Sequence, residues 1–389
     1  MQEYSKSEML VNNSKVFVVF FCLFLVSCTK VDRIKVSTKY SMDISDKSLI
    51  KPDSSLFESV EYIPLESTTQ SLIGEIHKIL AMNNTFYILD RQFAKAIKVF
   101  DSKGKFQFEI NKLGKGPGEY LYIYDFDIDA KGNIYVLDLG NKKVIKYNSK
   151  GGFIEEFQLK FNALEFAVLD SVNFAFFHVL NNGEVQNNIS IFNKTTQENQ
   201  AYFPYRKFFD DSRLPFTSKF HFYRSNAKIN FSLYFSDIVY SIESKKLLPY
   251  MKVESFIEPS SELNLLKQNL NSKTPFTSKN IKLIKDIYEN DDLIVFSTVN
   301  NNSLIYSKTT HKIIENIFKD KRYIGSTSFL GVYEDKFITY VDPNIASYMS
   351  DWEQCVKRFK TDEQTRTGLL NINKKEGITY LILVKFKKI

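Results

Sequence analysis

The chain has little of what disulfide scaffolds, metal fingers and membrane spans require. Three cysteines in 389 residues cannot staple a small fold, and a chain this long has no need of staples to build a core. Its four histidines, His77, His178, His221 and His311, lie far apart, with no pair at metal-ligand spacing. Only His77 falls in an expected innermost strand, which makes it a weak zinc candidate, and no metal or other cofactor is expected. Neither a Gly-x-Ser-x-Gly elbow nor a His-Glu-x-x-His helix occurs, so serine-hydrolase and zincin chemistry have no support. No apolar run reaches the roughly 20 residues of a membrane-spanning helix. Tryptophan occurs once, yet Phe occurs 35 times and Tyr 22 times. Rings in that number favour half-buried pleated surfaces and lean toward an all-β protein. The net charge of +7 is dispersed. Scattered strand-edge lysines protect edges more often than they bind nucleic acid, and no nucleic-acid partner is expected.

The longest apolar run is itself informative. Val16 to Val26 holds 11 apolar residues behind Lys15 and ends in Leu25-Val26-Ser27-Cys28. It is too short to span a bilayer and fits the apolar core of a secretory signal. Its last four residues resemble the bacterial lipobox, whose Cys becomes the acylated N-terminus. The expected division is a signal peptide over 1–27, lipidated Cys28 heading a flexible tether over 28–55, and a folded domain over 56–389. Met9 is an alternative start. Cys22 is then removed and Cys355 left alone, so no intramolecular disulfide can form. Attachment would be through lipid only. Thr29-Lys30-Val31-Asp32-Arg33 lacks the acidic cluster associated with surface-exported lipoproteins, which favours an outer-membrane protein facing the periplasm.

Beyond the tether a unit of about 47 residues repeats. Phe86-Tyr87-Ile88-Leu89-Asp90 precedes Val99-Phe100-Asp101-Ser102-Lys103-Gly104, and Ile134-Tyr135-Val136-Leu137-Asp138 precedes Ile145-Lys146-Tyr147-Asn148-Ser149-Lys150-Gly151. Each copy reads as strands joined by a turn, since Asp/Asn-Ser-Lys-Gly interrupts β-branched and aromatic runs. Weaker copies continue near Ile191, Ile242, Ile305 and Ile338, with an insert at 259–276 whose Leu263, Leu266 and Leu270 have helical spacing. Units of this length predict an all-β, six-bladed β-propeller, with blades near 74–112, 121–162, 164–206, 217–257, 280–318 and 323–388. The sixth blade lacks an outer strand, which Val60-Glu61-Tyr62-Ile63-Pro64-Leu65 can supply, closing the ring. Between the second and third strands of that blade, Ile345, Tyr348, Met349, Trp352, Cys355, Val356 and Phe359 predict one amphipathic helix of about four turns over 343–361. Asp342 would cap it, with Pro343 in its first turn.

Lys112-Leu113-Gly114-Lys115-Gly116-Pro117-Gly118-Glu119-Tyr120 joins the first two units. With Tyr62-Ile63-Pro64-Leu65-Glu66 and Val99-Phe100-Asp101-Ser102-Lys103-Gly104, it resembles the six-bladed propeller lipoproteins of Bacteroides-like bacteria, relatives of NHL-repeat propellers. The resemblance is sharp over 60–155 and implies fold and envelope location without naming a substrate. The glycines permit close backbone approach, but a strand follows them, so no helix N-terminus offers itself to a dinucleotide. Topology places this loop, Asp90 with its neighbour Arg91, Asp138, Asp342 and the helix bearing Trp352 toward one face. That face is the expected site for a small molecule, glycan or protein on a monomeric domain; alternatively the Asp residues only cap turns and the glycines only allow a tight crossover. A rival is a propeller enzyme, an NHL-related lyase or a glycan-active one, with its site at the central channel. The anchor is tested by Cys28→Ser: labelled palmitate should no longer be incorporated and the protein should leave the membrane fraction, whereas a variant still acylated and membrane-bound refutes the lipobox.

Overall fold

The computed structural model describes residues 37–44, 56–178, 187–204, 221–225, 228–233, 236–254, 284–298, 303–315, 326, 328–349, 351–358, 361–372 and 378–388. The signal segment, Cys28, most of the tether and the 259–276 insert lie outside them. Among the described residues no helix is long and apolar enough to cross a membrane.

Six antiparallel sheets form a closed ring, as the repeat predicts. The first blade holds β3 (Lys78–Met82), β4 (Thr85–Asp90), β5 (Ala96–Asp101) and β6 (Phe106–Ile110). The second holds β7 (Ile123–Ile128), β8 (Ile134–Asp138), β9 (Lys143–Tyr147) and β10 (Phe153–Gln158), and the third β11 (Glu165–Val168), β12 (Asn173–Phe177), β13 (Asn187–Asn193) and β14 (Asn199–Pro204). The fourth holds β15 (Phe222–Ser225), β16 (Lys228–Ser232), β17 (Ile238–Glu243) and β18 (Lys246–Glu254), and the fifth β19 (Ile284–Glu289), β20 (Leu293–Thr298), β21 (Ser303–Ser307) and β22 (Ile313–Glu315). The sixth joins β23 (Gly331–Tyr333), β24 (Lys336–Val341) and β25 (Tyr380–Phe386) to β2 (Phe57–Pro64). β2 pairs antiparallel with β25, Val60 opposite Val384 and Pro64 opposite Tyr380. The ring therefore closes between distant parts of the chain, with Pro64 on an outer strand where a missing N–H costs little.

The uninterrupted apolar runs have a structural cause. In β8, Ile134 and Val136 enter the core against the first blade, while Tyr135 and Leu137 enter the core against the third. Both faces of a middle strand are buried, so alternation with polar residues disappears. The six hydrophobic clusters fill the six gaps between neighbouring blades. The Phe surplus concentrates between the second and third blades, where Phe157, Phe161, Phe166, Phe174, Phe176 and Phe192 pack ring against ring. Truncating such a buried ring to Ala costs about 3–5 kcal/mol. The repeated turns also match: Asp101 accepts the N–H groups of Lys103 and Lys105, Asn148 those of Lys150 and Gly152, with Gly104 and Gly151 at φ near +80°.

Two expectations require correction. Within the expected tether, β1 (Tyr40–Asp43) pairs in parallel with β18 and makes the fourth blade five-stranded. Tyr40 packs edge-on against Tyr250, and Met42 and Ile44 are buried, so this short segment is held by side-chain burial that a polar-looking sequence hides. The single four-turn helix is instead three short ones, α1 (Pro343–Tyr348), α2 (Trp352–Arg358) and α3 (Glu363–Leu370). Asp342 caps α1 as expected, accepting the Ile345 N–H at 2.7 Å. Met349 is extended, ending α1 and leaving Tyr348 exposed, and the Asp351 carbonyl opens the next helix by accepting the Cys355 N–H.

Candidate functional site

The innermost strands pose a specific problem. Each has one edge turned toward the channel or a neighbouring blade, where no further strand completes its backbone hydrogen bonds. Among the first four blades charged side chains take on that task. Asp125 and Asp127, at alternate positions of β7, accept the N–H groups of Phe166 and Val168 on β11 at 3.1 and 2.7 Å. Glu165 at the start of β11 accepts both the backbone N–H of His221 and, at 2.7 Å, its ring Nδ1–H, just before β15. Lys78 on β3 donates to Asp125 at 2.7 Å and to the Phe126 carbonyl at 2.8 Å. Arg224 on β15 forks onto Asp127 through Nε and Nη2 and donates to the Val168 carbonyl.

Of these residues Lys78, Asp127 and Arg224 line a cavity of about 110 Å³ among the inner strands. Its wall includes β3, β7, β15, β19 and the start of β23, with Lys78, Asp127, Arg224, Asp286 and Tyr288 among apolar side chains such as Ile79, Ile128 and Ile287. The wall is mostly apolar with a few polar groups, a composition that small-molecule sites share. Asp125 is buried, and burial outweighs the attraction of Lys78, raising its carboxyl to about 6. None of these channel residues was singled out in the sequence. The available signal was a charge inside the first strand of successive units: Lys78 and Asp125 lie 47 residues apart, one repeat.

The residues expected from the sequence divide differently. Asp90 accepts the N–H groups of Gly74, Glu75 and Phe93, joining the crossover into the first blade to the turn after β4. Asp138 does the same one repeat later, accepting from Leu121, Tyr122 and Gly140 and from the Asn141 amide. Both carboxylates are fully buried latches. His178 serves the third blade in a similar way: its Nδ1–H donates to the Asn162 carbonyl while Nε2 accepts from Ser190, and burial lowers its pKa.

The Gly-rich loop is drawn into the groove between the first two blades. Gly118 donates to Glu156, which also pairs with Lys143, and its carbonyl accepts from the Tyr147 hydroxyl. Glu119 folds back to accept the Gly116 N–H, lying so close to Gly114 that a Cβ there would meet its carboxylate at 2.0 Å. At Gly118, φ is +72° and a Cβ would meet the Phe153 ring at 2.7 Å. Tyr120 is buried, its hydroxyl donating to Lys95 and accepting from Lys112. Lys115 and Pro117 remain exposed. The glycines thus serve close packing, and the loop does not line the cavity.

Trp352 is also core: it is buried, its Nε1–H donates to the Leu369 carbonyl, and it packs with Val356 and Leu369. Arg91 alone among the expected residues reaches toward an inner strand, its guanidinium 4.4 Å above the Tyr124 ring. His77 lies one residue before β3, and its Nδ1 accepts the Arg91 N–H. Burial lowers its pKa, with Glu75 opposing, so the ring is neutral near pH 7. Among the described residues no three His, Cys, Asp or Glu side chains gather as a metal site.

Architecture and inner-strand chemistry define a six-bladed propeller whose mostly apolar axial cavity carries a few charged groups. The chain belongs to the family described as a domain of unknown function, DUF4934, whose model matches residues 38–380. A crystal structure of a Bacteroides fragilis protein described as exported is similar, with TM-score 0.66 at 19% identity, covering 90% of this chain and 99% of that one. A DUF4221 member from Bacteroides vulgatus aligns at TM-score 0.49 and 12% identity over 86% of this chain and 99% of that one. Virginiamycin B lyase from Staphylococcus aureus aligns at TM-score 0.41 and 13% identity over 72% and 82%. No curated protein matches the chain by sequence.

Asp125 sets a measurable pH dependence. The native carboxyl keeps its proton up to about 6 while an unfolded Asp loses it near 3.8, so this group's stabilisation is full below 3.8 and is lost as pH rises through 6. The unfolding free energy of the wild type minus that of Asp125→Asn should fall by about 3 kcal/mol across that window. A difference that is flat, or that rises with pH, contradicts the assignment.

Proposed function

We propose that the protein is a ligand-binding module of the cell envelope, anchored by lipid at Cys28, and that its ligand occupies the axial cavity. The observation that carries this reading is the cavity itself, enclosed by inner strands whose charged side chains are fixed by neighbouring backbone. Preorganised polar groups on rigid strands orient a ligand at little entropic cost. The Gly-rich face named by the sequence is less suited, since its hydrogen-bonding groups are engaged by the first two blades. The similar Bacteroides fragilis protein described as exported, together with the signal-like N-terminus, supports an envelope location.

A lyase or glycan-active enzyme is the second reading, and the observation favouring it is the Glu165–His221 pair, an arrangement that can orient a general base. That pair is buried, with the His221 ring stacked 3.6 Å from Phe177, and neither residue lines the cavity. Binding is therefore the better-supported function.

The test is occupancy of the channel. Protein purified from its native host should carry or capture a small molecule detectable by native mass spectrometry. Ala81→Phe, which fills the cavity wall, should abolish that occupancy while leaving the melting temperature within a few degrees. Equal occupancy in both proteins would place binding elsewhere.

A further inference from the structure

Given the channel as the binding site, the ligand's chemistry can be read from the donors left uncommitted there. Arg224 is fixed along one edge, its Nε and Nη2 engaged by Asp127 and its Nη2 also by the Val168 carbonyl. Nη1 has no acceptor among the described residues, although the side chain lines the cavity and remains 32% exposed. Tyr288, on the adjacent inner strand β19, lines the same cavity, and its hydroxyl has no hydrogen-bond partner among the described residues. Leaving such donors without acceptors in a largely apolar enclosure is unfavourable, so an occupant offering an acceptor oxygen is preferred over a hydrocarbon.

Charge narrows the choice. The cations of the wall, Lys78 and Arg224, face Asp127 and Asp286 in the same wall, and Asp125 stands against Lys78. Glu165, paired with His221, adds a carboxylate near Tyr288. A carboxylate ligand would bring another anion to a site with no surplus of cations. A neutral carbonyl has two lone pairs for the two donors and avoids that cost.

We infer that the channel takes a small uncharged molecule with an apolar body and a carbonyl oxygen, which accepts from Arg224 Nη1 and the Tyr288 hydroxyl. The inference rests on the channel reading and adds the ligand's chemical class.

Matched probes test it: cyclohexanecarboxamide and cyclohexanecarboxylate have the same apolar body and differ in charge at pH 7.5. Saturation-transfer NMR on the purified full-length protein should detect the amide, with the carboxylate at least tenfold weaker. Tyr288→Phe removes one hydroxyl without changing ring packing and should weaken the amide about fivefold, with Ala81→Phe abolishing its signal. A carboxylate that binds as tightly as the amide, or an amide affinity unchanged by Tyr288→Phe, overturns the assigned chemistry while leaving the channel as a site. Failure of both probes also overturns it, and the occupancy experiment with Ala81→Phe then decides separately whether the channel binds anything.

Discussion

Radial convergence of the inner strands is the constraint on which the rest of this structure depends. Six sheets packed face to face bury their side chains well, but each leaves an inner edge whose backbone groups need partners away from bulk water. The protein answers with charged side chains that reach across to the next blade: Lys78 to the Phe126 carbonyl, Asp125 and Asp127 to β11, Glu165 to His221. These groups do two things at once. They register one blade against its neighbour, and Lys78 and Asp127 among them set charges into the mostly apolar wall of the axial cavity. Side chains placed this way sit on paired strands, and the surrounding fold holds them in position.

A second set of latches works where the chain passes between blades. Asp90 and Asp138 recur at the end of the second strand and tie the incoming crossover to the adjacent turn. Each is an anion without access to water, tolerable because three or four N–H donors surround it. The first two blades carry these latches most clearly. The same two blades clamp the Gly-rich loop through Glu156, Tyr147 and Tyr120.

What was legible in the sequence follows the same physics. Runs such as Phe86-Tyr87-Ile88-Leu89 announce strands buried on both faces, and their period announces blades, because that pattern depends on nearest neighbours in the chain. The ring-closing strand was also legible, since a sixth unit one strand short needs a partner and Pro64 marks an outer position. The parts that stayed hidden depend on tertiary approach. Tyr40 and Met42 look like tether residues until the Tyr250 ring and the fourth blade's edge are in place. Of the apolar positions spaced from Ile345 to Val356, Ile345, Met349, Trp352, Cys355 and Val356 meet one core, whereas Tyr348 is exposed, because spacing carries no information about the break at Met349. Gly114 and Gly118 suggested a ligand-facing loop because the sequence cannot show that Glu119 and Phe153 occupy the space beside them. The charges of the channel were overlooked for the opposite reason. Asp125 and Asp127 alternate with apolar residues, which reads as an ordinary half-exposed strand unless the strand is known to be innermost.

Amide hydrogen exchange at Phe166 and Val168 tests the central claim most directly. Both N–H groups, though on an inner edge, should exchange as slowly as those of the paired middle strands. Asp127→Ala should accelerate Val168 by at least about a hundredfold while leaving Phe166, held by Asp125, protected. Rapid exchange at both positions in the wild type, or a Val168 rate indifferent to Asp127→Ala, would contradict the view that carboxylates of one blade hold the next.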